Sequence, residues 1–252
     1  MTALLQIQNL SKAFGQLQAV DQVSLTVPAG KIIGLIGPNG SGKSTLLNLI
    51  SATTPPDSGK IIFANEDITQ FKADAVFQRG IVRSYQDPSL FFRISVLDNG
   101  LLPIKAQRGE RPWLAPFHRL WRKQEVENAG RTGALLEQVQ LRDHYAKSAA
   151  ELSGGQMKLL ELGRSLMGEP QLLLLDEPTA GVAPNLAYAI FEQIEAMRQE
   201  RGLTFLIIEH RLEVLFDFVD WLYVLHLGQV IAEGTPTEIA ANQTVQDVYF
   251  GV

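Results

Sequence analysis

Hydrophobic positions alternate with polar ones near the start of the chain and form unbroken runs further on. Between Leu4 and Val27, every second position is apolar in two short stretches, as in half-buried antiparallel strands. This alternation predicts a β-hairpin or a small antiparallel sheet. The apolar run Leu172–Leu175 does not alternate, which is typical of a strand buried on both sheet faces. The alternating apolar residues are Leu5, Ile7, Val23, Leu25 and Val27.

The remaining elements follow from shorter patterns. From about 95 to 168 the strands thin out and helical spacing dominates. Outside that region a helix is predicted at about 185–199, and two short helices at 236–241 and 245–250. Further strands are predicted at Ile32–Ile36, Ile61–Phe63, Ile81–Tyr85, Leu203–Ile208, Trp221–Leu227 and Val230–Ala232.

A basic stretch rich in aromatic residues lies within the helical region. Trp113, Phe117, Leu120 and Trp121 have the spacing of a single helix face. Between Lys105 and Lys123 there are six basic residues and one acid. The simpler interpretation is a basic amphipathic helix whose aromatic stripe packs on its own domain. The alternative is contact with anionic lipid headgroups or with a membrane subunit.

The amino-acid composition limits which kinds of partner and which cellular compartment are expected. The 252 residues carry a net charge of −5, which gives no reason to expect nucleic acid. The chain has no cysteine, so disulfides and thiolate metal sites are excluded and a cytosolic setting is expected. The start shows no signal-peptide pattern, and the longest apolar runs are too short to span a membrane.

A glycine-rich segment joins the strand Ile32–Ile36 to a predicted helix at 46–50. In that context the pattern G-x-x-x-x-G-K-[ST] binds phosphate, because backbone N–H groups and the helix dipole face the anion. Lys43 is expected to neutralise the β- and γ-phosphates, and Ser44 to bind Mg²⁺. A plain glycine turn is the weaker alternative for a complete match. The segment consists of Gly37, Pro38, Asn39, Gly40, Ser41, Gly42, Lys43, Ser44 and Thr45.

Two other segments are candidates for the same chemistry. Asp176 ends an apolar strand, where it can hold Mg²⁺ beside Ser44, and Glu177 then lies where a carboxylate could deprotonate the attacking water. The segment Ser153, Gly154, Gly155 and Gln156 opens a predicted helix and offers N–H groups and a hydroxyl to an anion, or simply caps the helix. Because each loop heads its own helix, a second copy could supply the other half of a triphosphate site.

The order of these segments, followed by His210 after the strand at 206–208, resembles that of ABC transporter ATPase subunits over essentially the whole chain. The resemblance implies ATP and Mg²⁺ as ligands. It implies that Phe14 stacks on adenine and that Gln86 contributes to the Mg²⁺ and water site. It also implies that Ser153 and Gly155 contact the γ-phosphate of ATP on the opposite subunit, and that His210 bonds the γ-phosphate.

The resemblance further implies an architecture and a set of partners. The expected fold is α/β: one P-loop ATPase domain with a mixed β-sheet, an antiparallel β subdomain and an inserted helical subdomain. Expected partners are a second ATPase subunit, the same or paralogous, two integral membrane permease subunits and, indirectly, a periplasmic solute-binding protein, with no nucleic acid. The expected location is peripheral, on the cytoplasmic face of the inner membrane. The expected divisions are a core at 1–86 and 169–235, a helical subdomain at 87–168 and a tail at 236–252.

Several short segments of the sequence resemble those of the LivG-type group, whose members import branched-chain and neutral amino acids. Two of these segments are Ile208-Glu209-His210 and Val248-Tyr249-Phe250-Gly251. Three alternatives stay open: a urea or amide importer, a soluble ABC-type ATPase acting on nucleic acid or ribosomes, and a P-loop kinase or GTPase. The transported solute and the choice between homodimer and heterodimer also stay open. One departure from the family is Ala183, where its members place Asp or Asn in a loop that contacts the partner subunit.

Overall fold

The structure, a computed structural model, describes residues 2–84 and 89–250, with the backbone alone for Phe250. Gln86, a predicted metal-site residue, lies outside the described residues. The chain divides into two compact units. The first comprises Met1–Gln86 and Gln171–Val252, and the second comprises Asp87–Pro170.

Among the described residues, all strands belong to the first unit, whereas helices occur in both. The strands are β1 (Ala3–Phe14), β2 (Leu17–Pro28), β3 (Ile32–Ile36), β4 (Ser58–Phe63), β5 (Glu66–Asp67), β6 (Ile81–Arg83), β7 (Leu172–Asp176), β8 (Thr204–Ile208), β9 (Trp221–His226) and β10 (Gln229–Gly234). The α-helices are α1 (Lys43–Ile50), α2 (Ala73–Gln78), α3 (Val96–Leu101), α4 (His118–Gln138), α5 (Gly154–Leu166), α6 (Pro184–Arg201), α7 (Leu212–Phe218), α8 (Pro236–Ala240) and α9 (Gln243–Phe250).

A four-stranded antiparallel sheet has the order β2-β1-β4-β5. Leu5 pairs with Val27 and Ile7 with Leu25, so the alternating apolar residues of the first two strands share one face. These four side chains are at most 4% exposed, which confirms the predicted hairpin. Because a one-residue slip would turn this face to solvent, the alternation also specifies the register.

A six-stranded mixed sheet has the order β10-β9-β3-β8-β7-β6. Strands β9, β3, β8, β7 and β6 are mutually parallel, and β10 runs antiparallel to β9. Every residue of β3, β7 and β8 is buried. This burial explains their unbroken apolar sequences and confirms the predicted strands.

One hydrophobic core joins the two sheets and α1. Its members include Phe63 of the antiparallel sheet, Leu174 of the mixed sheet and Leu46 of the helix. The core therefore fixes the position of α1, and of the glycine loop before it, against the carboxyl end of β3.

The second unit is helical and stabilised by polar caps. Ser95 caps α3 by accepting a hydrogen bond from the Asp98 N–H at 3.0 Å. Buried Asn99 accepts from the Phe91 N–H at 2.9 Å and donates to the carbonyl oxygens of Phe91 and Ser95, both at 3.0 Å. The amide thereby holds the segment before α3 against the helix.

The predicted helix face at 113–121 is wrong in two respects. Helix α4 begins only at His118, after a run of turns that contains Pro112 and Pro116. Since proline lacks an N–H and its ring clashes with the preceding turn, this segment does not continue the helix. The stripe is also not packed on the domain, because Trp113, Phe117 and Leu120 are 68%, 59% and 54% exposed.

Within residues 2–84 and 89–250, no helix is both long enough and apolar enough to cross a membrane.

Candidate functional site

The carboxyl ends of three neighbouring strands, β3, β8 and β7, meet at one edge of the mixed sheet. The glycine loop follows β3, Glu177 follows β7, and the Glu209-His210 segment follows β8. Ligands of open α/β sheets bind at this edge, because loops from several strands converge there. The topology thus brings together residues that lie far apart in the sequence.

At two positions of the glycine loop, the backbone conformation and its close neighbours allow only glycine. Gly37 has φ +149 and Gly42 has φ +105, in the region that disfavours residues with a Cβ. A Cβ on Gly37 would lie 2.0 Å from the Leu225 carbonyl oxygen, and one on Gly42 would lie 2.2 Å from the Ala19 carbonyl oxygen. The loop is therefore pressed against β9 and β2, and its shape forms a cradle that any side chain would disrupt.

Helix α1 begins directly after this loop. Its N-cap, Gly42, provides no side-chain hydrogen bond, and the first turn contains no acidic residue. The first N–H groups of a helix have no partner inside the helix, so here they are directed at the loop together with the positive end of the helix dipole. That arrangement suits an anion.

Lys43 is buried beneath the loop and holds it closed. Its ammonium donates to the carbonyl oxygens of Gly37 at 2.7 Å and Pro38 at 2.9 Å. Burial lowers the pKa of Lys43, and the negative charges of Glu177 and Asp176 partly oppose that shift. The lysine therefore lies within the electrostatic reach of both predicted acidic residues.

Asp176 is held by a side chain that the sequence analysis missed. Arg83 on β6 pairs with Asp176 at 3.1 Å, with both side chains at most 8% exposed, and also donates to Asn48 Oδ1 at 2.5 Å. Arg83 thereby links α1 to the end of β7. The available signal was an arginine at the end of β6, directly after the apolar residues Ile81 and Val82.

Glu177, the predicted base, and His210, predicted to bond the γ-phosphate, are in contact. His210 Nε2 lies 3.1 Å from Glu177 Oε1, with the histidine side chain 40% and the glutamate side chain 21% exposed. Glu177 has φ +52, an uncommon conformation for a residue with a Cβ, and its N–H donates to the Ile208 carbonyl at 2.9 Å. Strained residues of this kind concentrate at functional sites.

A second missed residue, Glu209, joins the two loops that carry this pair. It is 3% exposed, and its Oε1 accepts from the N–H and the hydroxyl of Thr179, while its Oε2 accepts from the N–H of His210 at 3.0 Å. Arg211 adds a further link by donating to the Val182 carbonyl at 2.6 Å. The signal for Glu209 was an acid directly after a buried strand, the same position that Glu177 has after β7.

Phe14 lies at the end of β1, and its ring is half exposed. The Lys12 ammonium lies 5.7 Å from the centre of that ring, and it also pairs with Asp57 at 2.7 Å. The exposed ring has a face available for stacking, as the predicted adenine contact requires.

The Ser153 segment belongs to the second unit and is built as a helix cap. Ser153 accepts from the Gln156 N–H at 3.3 Å, and Gln156 Oε1 accepts from the Ser153 N–H at 2.9 Å, forming a capping box on α5. Ser153 and Gly154 are exposed. The capping interpretation therefore holds, and it leaves the serine hydroxyl on the surface for the predicted phosphate contact.

The oxygen donors at this edge of the sheet suit Mg²⁺. Among the described residues, no three His, Cys, Asp or Glu side chains cluster to hold a metal. Mg²⁺ does not require such a cluster, because it keeps several waters and binds through one or two carboxylates plus substrate phosphates. Asp176 at the strand end and the exposed Ser44 hydroxyl on α1 are oxygen donors of that kind.

Fold and site together define a P-loop nucleotide-binding protein of the α/β class. An anion cradle, a buried lysine, a strand-end aspartate and a glutamate–histidine pair are suited to phosphoryl transfer by positioning and charge stabilisation. Comparison with known proteins makes this class more specific. A family profile described as ABC transporter matches residues 20–180, more than half of the chain. The chain belongs to the ABC transporter family, as an ATP-binding subunit that hydrolyses ATP.

Relatives of the same length support this assignment. The chain is 42% identical to the probable branched-chain amino acid transport ATP-binding protein LivG of Methanocaldococcus jannaschii, over 98% of this chain and 97% of that relative. It is 40% identical to the protein of the same name from Archaeoglobus fulgidus, over 98% and 95%. It is 36% identical to the lipopolysaccharide export system ATP-binding protein LptB of Escherichia coli, over 99% and 98%.

Two further comparisons concern the C-terminal residues and the fold. A profile described as branched-chain amino acid ATP-binding cassette transporter matches residues 229–252. A crystal structure of an ATP-binding cassette of an ABC transporter in its ADP conformation has a TM-score of 0.87 and 40% identity, covering 100% of both chains. A nucleotide-free cassette has a TM-score of 0.86 at 40% identity, covering 98% and 99%. These matches confirm the predicted family and fold class.

Proposed function

We propose that this ATPase energises the import of branched-chain or neutral amino acids from the cytoplasmic face of the membrane. The observation that carries the proposal is the match of residues 229–252 to the branched-chain amino acid cassette profile. The two archaeal LivG relatives, at 42% and 40% identity, support the same solute class. The relatives described above are all transport proteins, which favours a transporter over a soluble ATPase acting on nucleic acid or ribosomes.

In this proposal the first unit binds the phosphates of ATP. The loop from Gly37 to Thr45 supplies N–H groups, and Lys43 exchanges the loop carbonyls for the β- and γ-phosphates. Ser44 and Asp176 hold Mg²⁺, with Gln86 as a further ligand. When bound, the ion neutralises charge on the phosphate oxygens. Arg83 keeps the Asp176 carboxylate in place.

Glu177 accepts a proton from the attacking water, and His210 helps to orient that water. The 3.1 Å contact between the two side chains supports this division of roles, because a general base must be held in the correct orientation toward the water. His210 also donates to the γ-phosphate in this proposal. The buried Glu209 carboxylate holds both loops together while the water is positioned.

A complete site requires a second ATPase subunit, the same or paralogous. Ser153 and Gly155 at the start of α5 contact the γ-phosphate held by the Lys43 loop of the opposite subunit, while Phe14 stacks on adenine. Since ATP then contacts both subunits, it favours the closed pair by its differential affinity. Closure drives two integral membrane permease subunits, which receive solute from a periplasmic binding protein.

The experiment is reconstitution in liposomes with candidate membrane subunits and a candidate binding protein from the same genome. We expect ATP-dependent uptake of leucine and isoleucine, and stimulation of ATPase activity by the loaded binding protein. The Glu177→Gln complex is the matched control and should assemble without transporting. Transport of urea or amides instead would overturn the solute class, and co-purification with ribosomes or nucleic acid instead of membrane subunits would overturn the transporter assignment.

A further inference from the structure

Four large apolar residues that lie close together in sequence, before α4 and in its first half, are exposed on the second unit, and we call them the apolar cluster. Trp113, Phe117, Leu120 and Val126 are 68%, 59%, 54% and 64% exposed. Single exposed apolar residues are ordinary on soluble proteins, whereas a run of large ones within a short segment marks an interaction site. The cluster therefore needs a partner.

The same segment carries a concentration of positive charge. Between residues 105 and 123 there are six basic residues and one acidic residue, in a chain whose net charge is −5. We call these residues and the four exposed apolar ones the cationic aromatic patch. Its members are Lys105, Arg108, Arg111, Trp113, Phe117, Arg119, Leu120, Arg122, Lys123 and Val126.

Much of this charge is not neutralised within the protein. In the part of the chain that the structure describes, the guanidinium groups of Arg111, Arg119 and Arg122 form no ion pair. Lys123 lies 3.8 Å from Glu127, with the two side chains 91% and 62% exposed, a surface pair that contributes little. Arg111, Arg119 and Arg122 therefore present their charge to solvent.

The geometry of α4 places charge and apolar surface together. Arg119, Arg122, Lys123 and Val126 follow the i, i+3, i+4, i+7 spacing of one helix face. Together with Glu127, the one acidic residue among them, they line a shallow hollow of about 510 Å³. Trp121 anchors the segment, because its Nε1–H donates to the Ala115 carbonyl at 3.1 Å and its ring meets His118 edge-on at 5.0 Å.

We propose that the cationic aromatic patch docks directly on a bilayer surface containing anionic lipid. Exposed cations fit lipid phosphates, and tryptophan, phenylalanine and leucine beside them are the composition of segments that lie in the membrane interface. The charge of the patch, opposite to that of the whole chain, is the observation that selects an anionic occupant. This inference does not depend on which solute is transported.

The test is sedimentation of the purified chain with vesicles of phosphatidylglycerol and phosphatidylcholine, and with phosphatidylcholine alone. We expect binding to the first only, weakening as salt rises because exposed charges are screened. Tryptophan fluorescence should shift to the blue on binding. Trp113→Phe should reduce that shift while retaining most of the binding, because Trp113 is 68% exposed, whereas Trp121 is partly buried and hydrogen-bonded to Ala115.

Variants separate the two components of the patch. Arg119→Glu with Arg122→Glu, and separately Phe117→Ser with Leu120→Ser, should each weaken vesicle binding at least about tenfold and leave basal ATPase activity unchanged. Lys147→Glu and Tyr145→Ser, exposed in the same unit but outside the patch, are the matched controls. They should bind like the wild type.

Two outcomes would overturn the inference. The first is wild-type protein that ignores phosphatidylglycerol vesicles at low salt. The second is unchanged vesicle binding by the patch variants combined with loss of co-purification with the membrane subunits in detergent, which would assign the patch to a protein partner.

Discussion

The Thr179 hydroxyl donates a 2.5 Å hydrogen bond to the carboxylate of Glu209, and both residues are buried. The Thr179 N–H reaches the same oxygen at 2.8 Å, and the other oxygen accepts from the N–H groups of His210 and Arg211. One carboxylate thus fastens the loop after β7 to the loop after β8. Since those loops carry Glu177 and His210, Glu209 sets the geometry of the pair without contacting the phosphate loop.

Glu209→Ala is expected to lower ATP turnover at least about tenfold while changing ATP affinity by less than about threefold. The substitution leaves the Thr179 N–H and hydroxyl buried without an acceptor, which costs about 1–3 kcal/mol for each group. A turnover loss of tenfold corresponds to about 1.4 kcal/mol at the transition state. Turnover and nucleotide affinity are measured separately, by phosphate release and by fluorescent-nucleotide titration.

Glu213→Ala is the matched control for Glu209→Ala, because Glu213 is exposed on α7 four residues along the chain. It should leave both quantities unchanged. An equal loss of affinity and turnover in Glu209→Ala would contradict a positioning role and indicate a general collapse of the unit. Glu209→Gln should give an intermediate turnover, because its amide keeps one oxygen acceptor.

Glu177→Gln is expected to retain ATP binding and to lose about 10²–10⁴-fold in hydrolysis, the range supplied by a positioned base. The amide keeps the size and the unusual φ +52 backbone but does not take a proton. With hydrolysis blocked, the nucleotide-bound dimer should accumulate, which size-exclusion chromatography with ATP detects. Normal phosphate release from this variant would rule out the proposed base.

A feature could be predicted from the sequence when the residues that determine it lie close together in the chain. The glycine loop with its flanking strand and helix was predicted because its pattern lies within a short stretch of chain. The role of His210 was predicted only through the family resemblance, and its contact with Glu177 was not predicted, because that contact depends on β7 lying beside β8. Helices α2 and α7 went unpredicted because segments of six and seven residues show little periodicity and neither has a capping side chain. The still shorter α8 carries a local start signal in Thr235 and Pro236.

The missed residues and the wrong helix have specific causes. Arg83 and Glu209 are polar groups within or next to buried strands, and their partners are separated from them by 93 and 30 positions in the chain. No local pattern reveals such partners. The helix predicted across 113–121 was avoidable, because Pro112 and Pro116 interrupt the segment and proline carries its own conformational signal.

Arg83→Met is expected to destabilise the first unit by about 3 kcal/mol, because it leaves the Asp176 carboxylate buried without its cation. We also expect a higher Mg²⁺ requirement for ATPase activity, since the aspartate loses its orientation. Urea unfolding and Mg²⁺ titration measure the two effects. Arg142→Met is the control, because both side chains of the Arg142–Glu137 pair are well exposed, and it should have little effect. Equal destabilisation by both substitutions would contradict the buried pair.

Ala183→Asp is expected to stabilise the chain by about 1 kcal/mol. Ala183 occupies the N-cap of α6 with φ −66 and ψ 152, provides no capping side chain, and precedes a first turn without acidic residues. Aspartate would supply the missing acceptor and a favourable charge at the positive end of the helix. The melting temperature should rise, and ATPase activity in the assembled complex should change only if this loop faces a partner subunit.

Asn185→Asp separates capping from charge in that experiment. It adds a carboxylate to the same exposed first turn without occupying the N-cap, so we expect a smaller rise in melting temperature. An equal rise for both variants would assign the effect to the helix dipole alone. An unchanged melting temperature for Ala183→Asp would show that the backbone at this position does not accept a cap.

The C-terminal helix contacts the phosphate loop through Tyr249. Burial raises the pKa of Tyr249 to about 12, and a hydrogen bond from the Gly37 backbone partly opposes the shift. The folded protein therefore favours the neutral phenol. Its contribution to stability is present below about pH 10, where a tyrosine in the unfolded chain begins to titrate. That contribution is lost as the pH rises through about 12, because the unfolded chain releases its proton first.

Tyr249→Phe should remove this alkaline dependence. We expect the melting temperature of the wild type to fall between about pH 10 and 12, and that of the variant to fall less. In the variant, the tyrosinate absorbance that develops near pH 12 should also disappear. Tyr145→Phe, at an exposed position in the second unit, is the control and should melt like the wild type. Because the hydroxyl meets Gly37, the first residue of the phosphate loop, Tyr249→Phe should also weaken ATP binding modestly at neutral pH. Identical alkaline melting curves for Tyr249→Phe and wild type would show that the phenol is not buried against the loop.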